Sequence, residues 1–319
     1  MSRPSPIATL VLAACLLATG CGSEPGAPDI GQPAPATTSG GPSRPVLDEA
    51  TARRIQDAQQ VMLSGLPEQV HATLGDLLER SDVPADAQFV AGSAAYELQR
   101  YGEAVERLAA AVRDDPERYL PNSSALGFAH HKLGDFDAAR AAFEAVIEAD
   151  DEKYKAHYGL GLVALSLGDV DAARPHLERC LELRSTYLKG RFAMARLLEM
   201  EGRTDDALAQ VSTVVSEWPG HDEALFLMAR LLQAQGREDE AEQVMARRNA
   251  VYAAKEQLAG LGVQLGTKTD GPLLRLQMVE IQMSIGDVRE ARQMLASART
   301  LYPDDPALAA AWARLTGDR

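Results

Sequence analysis

Two stretches of the chain, LGDFDAARAAFEAV (Leu133 to Val146) and LGDVDAARPHLERC (Leu167 to Cys180), begin 34 residues apart and share LGD, an acid and AAR. Repetition at a fixed period constrains a fold more tightly than composition does. Units of one length must be one supersecondary structure stacked on copies of itself. Aligned on the last alanine of the GDFDAA and GDVDAA runs (Ala139 and Ala173), the same slot recurs at Ala104, Ala207, Ala241 and Ala291, and Val70 fills it in a degenerate copy. The spacings are 34, 35, 34, 34, 34 and 50. Five residues before the slot stand Gly65, Gly134, Gly168, Gly202, Gly236 and Gly286, and Gln99 is the one departure.

Each unit reads as two helices. An apolar helical run ends at the glycine, which takes the left-handed conformation that stops a helix. Acids follow at once (Asp135 and Asp137, Asp169 and Asp171, Asp205 and Asp206, Glu238 and Asp239), where they suit the positive end of the next helix. That helix runs to a breaker, often proline, as at Pro116, Pro219 and Pro303. Neither helix can bury its apolar face alone, so successive units must stack.

This pattern resembles the tetratricopeptide repeat, from about Thr51 to Asp305. Small or apolar residues lie twelve before the slot (Gly92, Gly127, Gly161, Ala195, Ala229), and large apolar residues four after it (Leu74, Leu108, Phe143, Leu177, Val211, Met245, Leu295). The family's tryptophan near the start of the first helix is absent. Gln88, Ser123, His157 and Arg191 stand there instead. The resemblance implies an all-α, right-handed superhelix of about seven helix-turn-helix repeats spanning residues 48–319, with Pro306 to Leu315 as a helix that caps the open end. Two irregularities interrupt it. The spacing of 50 adds residues around Ala253 to Gly271, which read either as an extension of the preceding helix or as a projecting loop. Pro175 falls inside a second helix, where it removes a backbone hydrogen bond and bends the helix unless it lies in the first turns.

The N-terminus differs in texture. Residues 1–20 place one positive charge, Arg3, before an apolar run from Ile7 to Ala18 that is short for a bilayer span. Ala18-Thr19-Gly20-Cys21 resembles the lipobox of bacterial lipoproteins, which implies lipidation of Cys21 as the new N-terminus. Cys15 fits the same box but leaves a very short apolar region, and a plain secretory signal with an incidental Cys21 is the other reading. Residues 21–47 are dominated by Pro, Gly, Ser, Thr and Ala and read as a disordered tether. Gly22 stands where aspartate would favour the inner membrane, so by resemblance the expected location is the outer membrane facing the periplasm. The third cysteine, Cys180, falls in an apolar helical pattern and reads as a small buried hydrophobe, with no disulfide expected.

The net charge of -14 makes nucleic acid and anionic lipid surfaces poor partners. The six histidines form no HExxH motif, and there is no CxxC. Gly159-Leu160-Gly161 lacks the third glycine of a dinucleotide fingerprint and sits within a repeat helix, so it reads as close helix packing. Gly266-Thr267-Lys268-Thr269 is not a phosphate loop, because its glycine does not adjoin the lysine and no strand precedes it. No metal, cofactor or enzymatic activity is expected.

In tetratricopeptide proteins the first helices line a concave groove that holds a protein or peptide partner. Positions 18, 15, 11 and 8 before the slot share one helix face. They carry Lys155 and Lys189; Phe89, Tyr158, Phe192 and Phe226; Phe128, Arg196 and Arg230; and Tyr96 and His131. Four of the six phenylalanines fall on this face. The set reads either as an aromatic stripe with a basic rim, fitting a peptide with apolar anchors and acidic or C-terminal carboxylates, or as core aromatics and paired cations. No asparagine falls there, so the lysine–asparagine carboxylate clamp of some family members is not implied. The expected function is a lipid-anchored scaffold for partners in the bacterial envelope. A self-assembling stack, or an enzyme with a site in the insertion, are the competing readings. Oligomeric state is left open.

Overall fold

The computed structural model describes residues 47–267 and 271–317. The expected signal segment, Cys21 and the chain as far as residue 46 lie outside them. Regular structure among the described residues is entirely helical. The helices are α1 Glu49–Leu63, α2 Pro67–Leu74, α3 Ala85–Glu97, α4 Tyr101–Asp114, α5 Pro116–Tyr119, α6 Ser124–Leu133, α7 Phe136–Ala149 and α8 Tyr154–Ser166. There follow α9 Val170–Leu183, α10 Leu188–Met200, α11 Thr204–Glu217, α12 Asp222–Ala234, α13 Glu238–Thr267, α14 Pro272–Ser284, α15 Val288–Leu301 and α16 Pro306–Thr316. Leaving out the short α5, they pair as seven antiparallel units, α1/α2 to α14/α15. The capping helix α16 packs on α14 and α15.

The turns form as the spacing predicts. All six glycines five before the slot have φ between 72° and 82°. The next residue donates its N–H back across the helix end: Asp135 to His130 at 3.0 Å, Asp169 to Ala164 at 2.9 Å and Arg203 to Leu198 at 2.9 Å. Gln99, the single departure, adopts the same conformation at φ 59°, and Arg100 donates to Ala95 at 2.8 Å. A side chain in this region costs energy that glycine does not. Gln99→Gly is therefore expected to stabilise the protein by about 0.5–1 kcal/mol in chemical denaturation. A loss of stability would mean that the glutamine side chain contributes more than its backbone strain costs.

Packing explains why small and large residues alternate. The slot alanines and Val70 are fully buried, as are Leu74, Leu108, Phe143, Leu177, Val211 and Leu295 four residues later. These large side chains press on the first helix of their own unit. A Cβ on Gly92 would lie 2.8 Å from Leu108, on Gly127 2.6 Å from Phe143, and on Gly161 2.5 Å from Leu177. Gly159 approaches Phe143 from the next unit, where a Cβ would lie 2.3 Å from the ring. The Gly159-Leu160-Gly161 run is thus a packing device. At three of the four positions without tryptophan, pairs link the two helices of a unit: Arg107 donates to Gln88 at 3.1 Å, Arg191 donates to Gln210 at 3.2 Å, and the His157 and His176 rings lie 5.8 Å apart. Cys180 is a free, fully buried thiol that burial pushes up to about 12. Pro175 lies within α9, which continues past it to Leu183.

The insertion is an extension of α13, which runs for 30 residues and remains helical to Thr267. The extra turns carry the last unit away from its regular place beside α12. The last unit instead braces two distant parts of the chain. At the α14–α15 turn, buried Asp287 accepts from Trp218 Nε1 at 2.9 Å, and Ile285 packs on the central core. Gly220 approaches so closely that a Cβ there would lie 2.6 Å from Asp287 Oδ2. On α15, Ser297 Oγ donates to the carbonyl of Ser64 in the first unit at 2.8 Å.

A concave aromatic face and its place among known proteins

Each first helix from α1 to α10 packs against the first helix of the following unit, and no comparable packing joins consecutive second helices among the described residues. The stack is therefore closer on the first-helix side, and that side is concave.

The sequence-selected residues divide on this face. Phe89 is buried and stacks on Tyr119 at a ring distance of 4.8 Å, and the Tyr119 hydroxyl donates to Asp86, which also pairs with Arg118 at 2.9 Å. Phe89 is thus core, not groove lining. The reason is local: α5 and the 3-10 turn at Leu120–Asn122 fold Tyr119 over it. Lys155 is only 7% exposed, so it does not form an outer basic rim; its ammonium lies 6.0 Å from the Tyr154 ring.

Of the remaining side chains, Tyr96, Phe128, His131, Tyr158, Lys189, Phe192 and Arg196 are half-buried, and Phe226 and Arg230 are exposed. Tyr96 packs beside Tyr101 at 5.7 Å, and burial, then Glu97, pushes its phenol well above the usual tyrosine range. Phe128 bridges Phe143 at 4.9 Å and Tyr158 at 5.7 Å, and Tyr158 meets Tyr187 edge-on at 5.2 Å. Burial raises the Tyr158 phenol too. His131 reaches across to the next unit, with Nε2 3.0 Å from Ser166 Oγ. Burial lowers its pKa, and the positive charges of Lys132 and Arg196 lower it further. Phe192 packs on His221 at 4.7 Å, and His221 meets Trp218 at 4.4 Å. Burial, then Lys255, holds His221 down to about 4, which suits its role: the neutral Nδ1 accepts from the Ala224 N–H and caps α12. Lys189 is half-buried and adds to that depression.

Phe226 is the most open aromatic of the set, at 44% exposed. Two guanidinium groups flank its ring, Arg230 at 5.8 Å and Arg248 at 5.0 Å. Arg230 is paired with Glu199. Neither Arg196 nor Arg248 forms an ion pair among the described residues. Arg248 lies on a second helix, α13, outside the first-helix face that the offsets select. It nonetheless carries a sequence signal. Seven residues after the slot, the other units have Leu77, Ala111, Val146, Cys180, Val214 and Ala298, all buried. An arginine in that position marks a place where the next unit does not cover the helix.

No three His, Cys, Asp or Glu side chains among the described residues converge in a way that could hold a metal ion. No helix among them is long and apolar enough to cross a membrane.

Comparison with known proteins bears on this architecture. A family model described as tetratricopeptide repeat matches residues 67–119 and 125–187, and a second model of the same description matches 200–265. Comparison with curated proteins finds no match. Among solved structures, a tetratricopeptide repeat protein from Parabacteroides merdae is 15% identical over 85% of this chain and 100% of its own, with a TM-score of 0.47. A thermophilic TPR protein from Thermus thermophilus is 22% identical over 58% of this chain and 100% of its own, with a TM-score of 0.47. A chain of the APC/C hetero-tetramer Cut9-Hcn1 is 13% identical over 82% of this chain and 48% of its own, with a TM-score of 0.52. Identities this low bear on the fold alone. With family models covering more than half of its length, and seven helical pairs in register, the chain belongs to the tetratricopeptide repeat family.

Proposed function

We propose that the protein is a lipid-anchored scaffold that holds a protein or peptide partner on its concave face, in the bacterial envelope. The observation that carries the reading is Phe226, an exposed aromatic between two guanidinium groups on the inner side of an acidic chain. An apolar side chain of the partner would cover the ring, and a neighbouring carboxylate would face Arg248 or Arg196. The lipobox at Cys21 supports the anchor and Gly22 supports the outer membrane, with residues 22–47 as the tether.

The test is capture of partners from detergent-solubilised envelope by the native protein and by a Phe226→Ala, Arg196→Glu, Arg248→Glu variant of unchanged helicity. A partner held by the first and lost by the second is the expected result. Equal capture would move the interface off the concave face. In the same cells, Cys21→Ala is expected to shift the protein from the membrane to the soluble fraction, and an unchanged distribution would remove the anchor from the reading.

A further inference from the structure

His157 on α8 and His176 on α9 link the two helices of the fourth unit, with ring centroids 5.8 Å apart and planes inclined by 33°. The same two offsets from the slot carry Gln88 with Arg107, and Arg191 with Gln210, and in those units a hydrogen bond closes the pair. The histidine pair is built differently. His157 is only 8% exposed, and its Nε2 lies 3.0 Å from the carbonyl oxygen of Asp151. A carbonyl only accepts, so Nε2 carries the proton and the neutral ring keeps its lone pair on Nδ1. Nδ1 is buried and has no hydrogen-bond partner among the described residues. His176 is half-buried, so the second ring of the pair reaches solvent.

We propose that Nδ1 of His157 and a ring nitrogen of His176 bind one divalent transition-metal ion of the imidazole-preferring kind, such as zinc, with solvent completing its coordination. A buried lone pair with no donor in the chain is a group that a bound ion satisfies. The Asp151 carbonyl fixes the tautomer and orientation of the His157 ring, as outer hydrogen bonds do for metal-binding histidines generally. The spacing also fits. A zinc–nitrogen bond is about 2.0–2.1 Å, so two rings on one ion place their centroids roughly 5–6 Å apart. Charge favours a cation as well: the chain is acidic overall, and the carboxylate of Glu144, on α7 of the preceding unit, acts electrostatically on His176. Structural zinc sites have four protein ligands and bind far more tightly, so two imidazoles give an expected dissociation constant of about 1–10 µM. A bound ion ties α8 to α9, where the other two units use an arginine and a glutamine. The site shares no residue with the concave face, so it stands whether or not a partner binds there.

Isothermal titration of the untagged, chelator-stripped protein with zinc ion tests it. The native chain is expected to bind one ion in the low micromolar range. His157→Gln and His176→Gln are each expected to weaken that binding at least about tenfold, since each removes one of two ligands. The glutamine at position 157 can still donate to the Asp151 carbonyl, and circular dichroism checks that helicity is unchanged. His176 is half-buried at the surface, so its variant alone decides the matter if His157→Gln disturbs the fold. His130→Gln removes another histidine whose Nδ1 is buried without a hydrogen bond, and it is expected to leave the affinity as it was. Hydrogen exchange with zinc present should slow in α8 and α9 of the native chain and not in the His176→Gln variant. A native chain that binds no zinc would overturn the proposal. So would zinc binding that survives His176→Gln, or binding that His130→Gln abolishes.

Discussion

Phe143→Ala is expected to destabilise the protein by about 3–5 kcal/mol, the upper range for a single core truncation. The ring is fully buried, and its neighbours cannot close the space it would leave. Two of them are glycines, Gly127 from its own unit and Gly159 from the next, placed so that even a Cβ would meet the ring at 2.6 and 2.3 Å. Glycine has no side chain to turn inward, so the cavity persists and the cavity penalty is retained. The contact is also what fastens the third unit to the fourth. The reciprocal change, Gly159→Ala, pushes a methyl into a ring already held by Phe128 at 4.9 Å, and is expected to cost about 1–3 kcal/mol. Combining Phe143→Leu with Gly159→Ala should cost less than the two changes summed, because the smaller side chain makes room for the methyl. Urea denaturation followed by circular dichroism reads each variant against the native protein. A loss below about 1 kcal/mol for Phe143→Ala would show that the units relax onto one another far more freely than this packing implies.

That packing is legible in the sequence, and the reason is physical. A repeat stacked on itself meets the same environment in every unit, so the glycine, slot alanine and large apolar position recur at fixed offsets. Even the exception at Gln99 could be aligned, because the chain must turn there whatever residue is present. Helical offsets also group these side chains on one face of the first helices. They could not show which side chains on it stay open. Phe89 shares its offset with Phe226, yet one is core and the other exposed, because Tyr119 folds over the first and no ring stacks on the second among the described residues. Lys155 shares its offset with Lys189 and is buried beside Tyr154. Those differences arise between units, where the period is broken: at the spacing of 35 around α5, and at the spacing of 50 after α12. The brace made by the last unit was illegible for the same reason. Trp218 and Asp287 are 69 residues apart, and the length and direction of α13 decide whether they meet.

Asp287→Ala is the variant that isolates this brace. Its carboxylate does two things at once. Oδ2 accepts from Trp218 Nε1 at 2.9 Å, and Oδ1 accepts from the Glu290 N–H at 3.2 Å, capping α15. Removing it forfeits a cap, typically about 1 kcal/mol, and leaves the indole N–H without its acceptor, at about 1–3 kcal/mol more. The loss should be local. In a solenoid each unit is held mainly by its neighbours, so the last unit can detach while the others stay folded. Hydrogen exchange is expected to show lost protection in α14 to α16 and unchanged protection in α6 to α12. Small-angle scattering should show a larger radius of gyration, because the contact between Ser297 and Ser64 depends on the last unit keeping its place. Two milder variants separate the causes. Asp287→Asn keeps one acceptor oxygen and puts an NH2 donor in place of the other, so it can preserve one of the two bonds and should cost less than the alanine. Trp218→Phe keeps the ring but not the donor, so it should loosen the brace while leaving the α15 cap intact. If Asp287→Ala instead weakened protection evenly along the chain, the last unit would be part of one cooperative block with the rest. Its displacement by the long helix would then serve the stability of the whole stack rather than hold its two ends together.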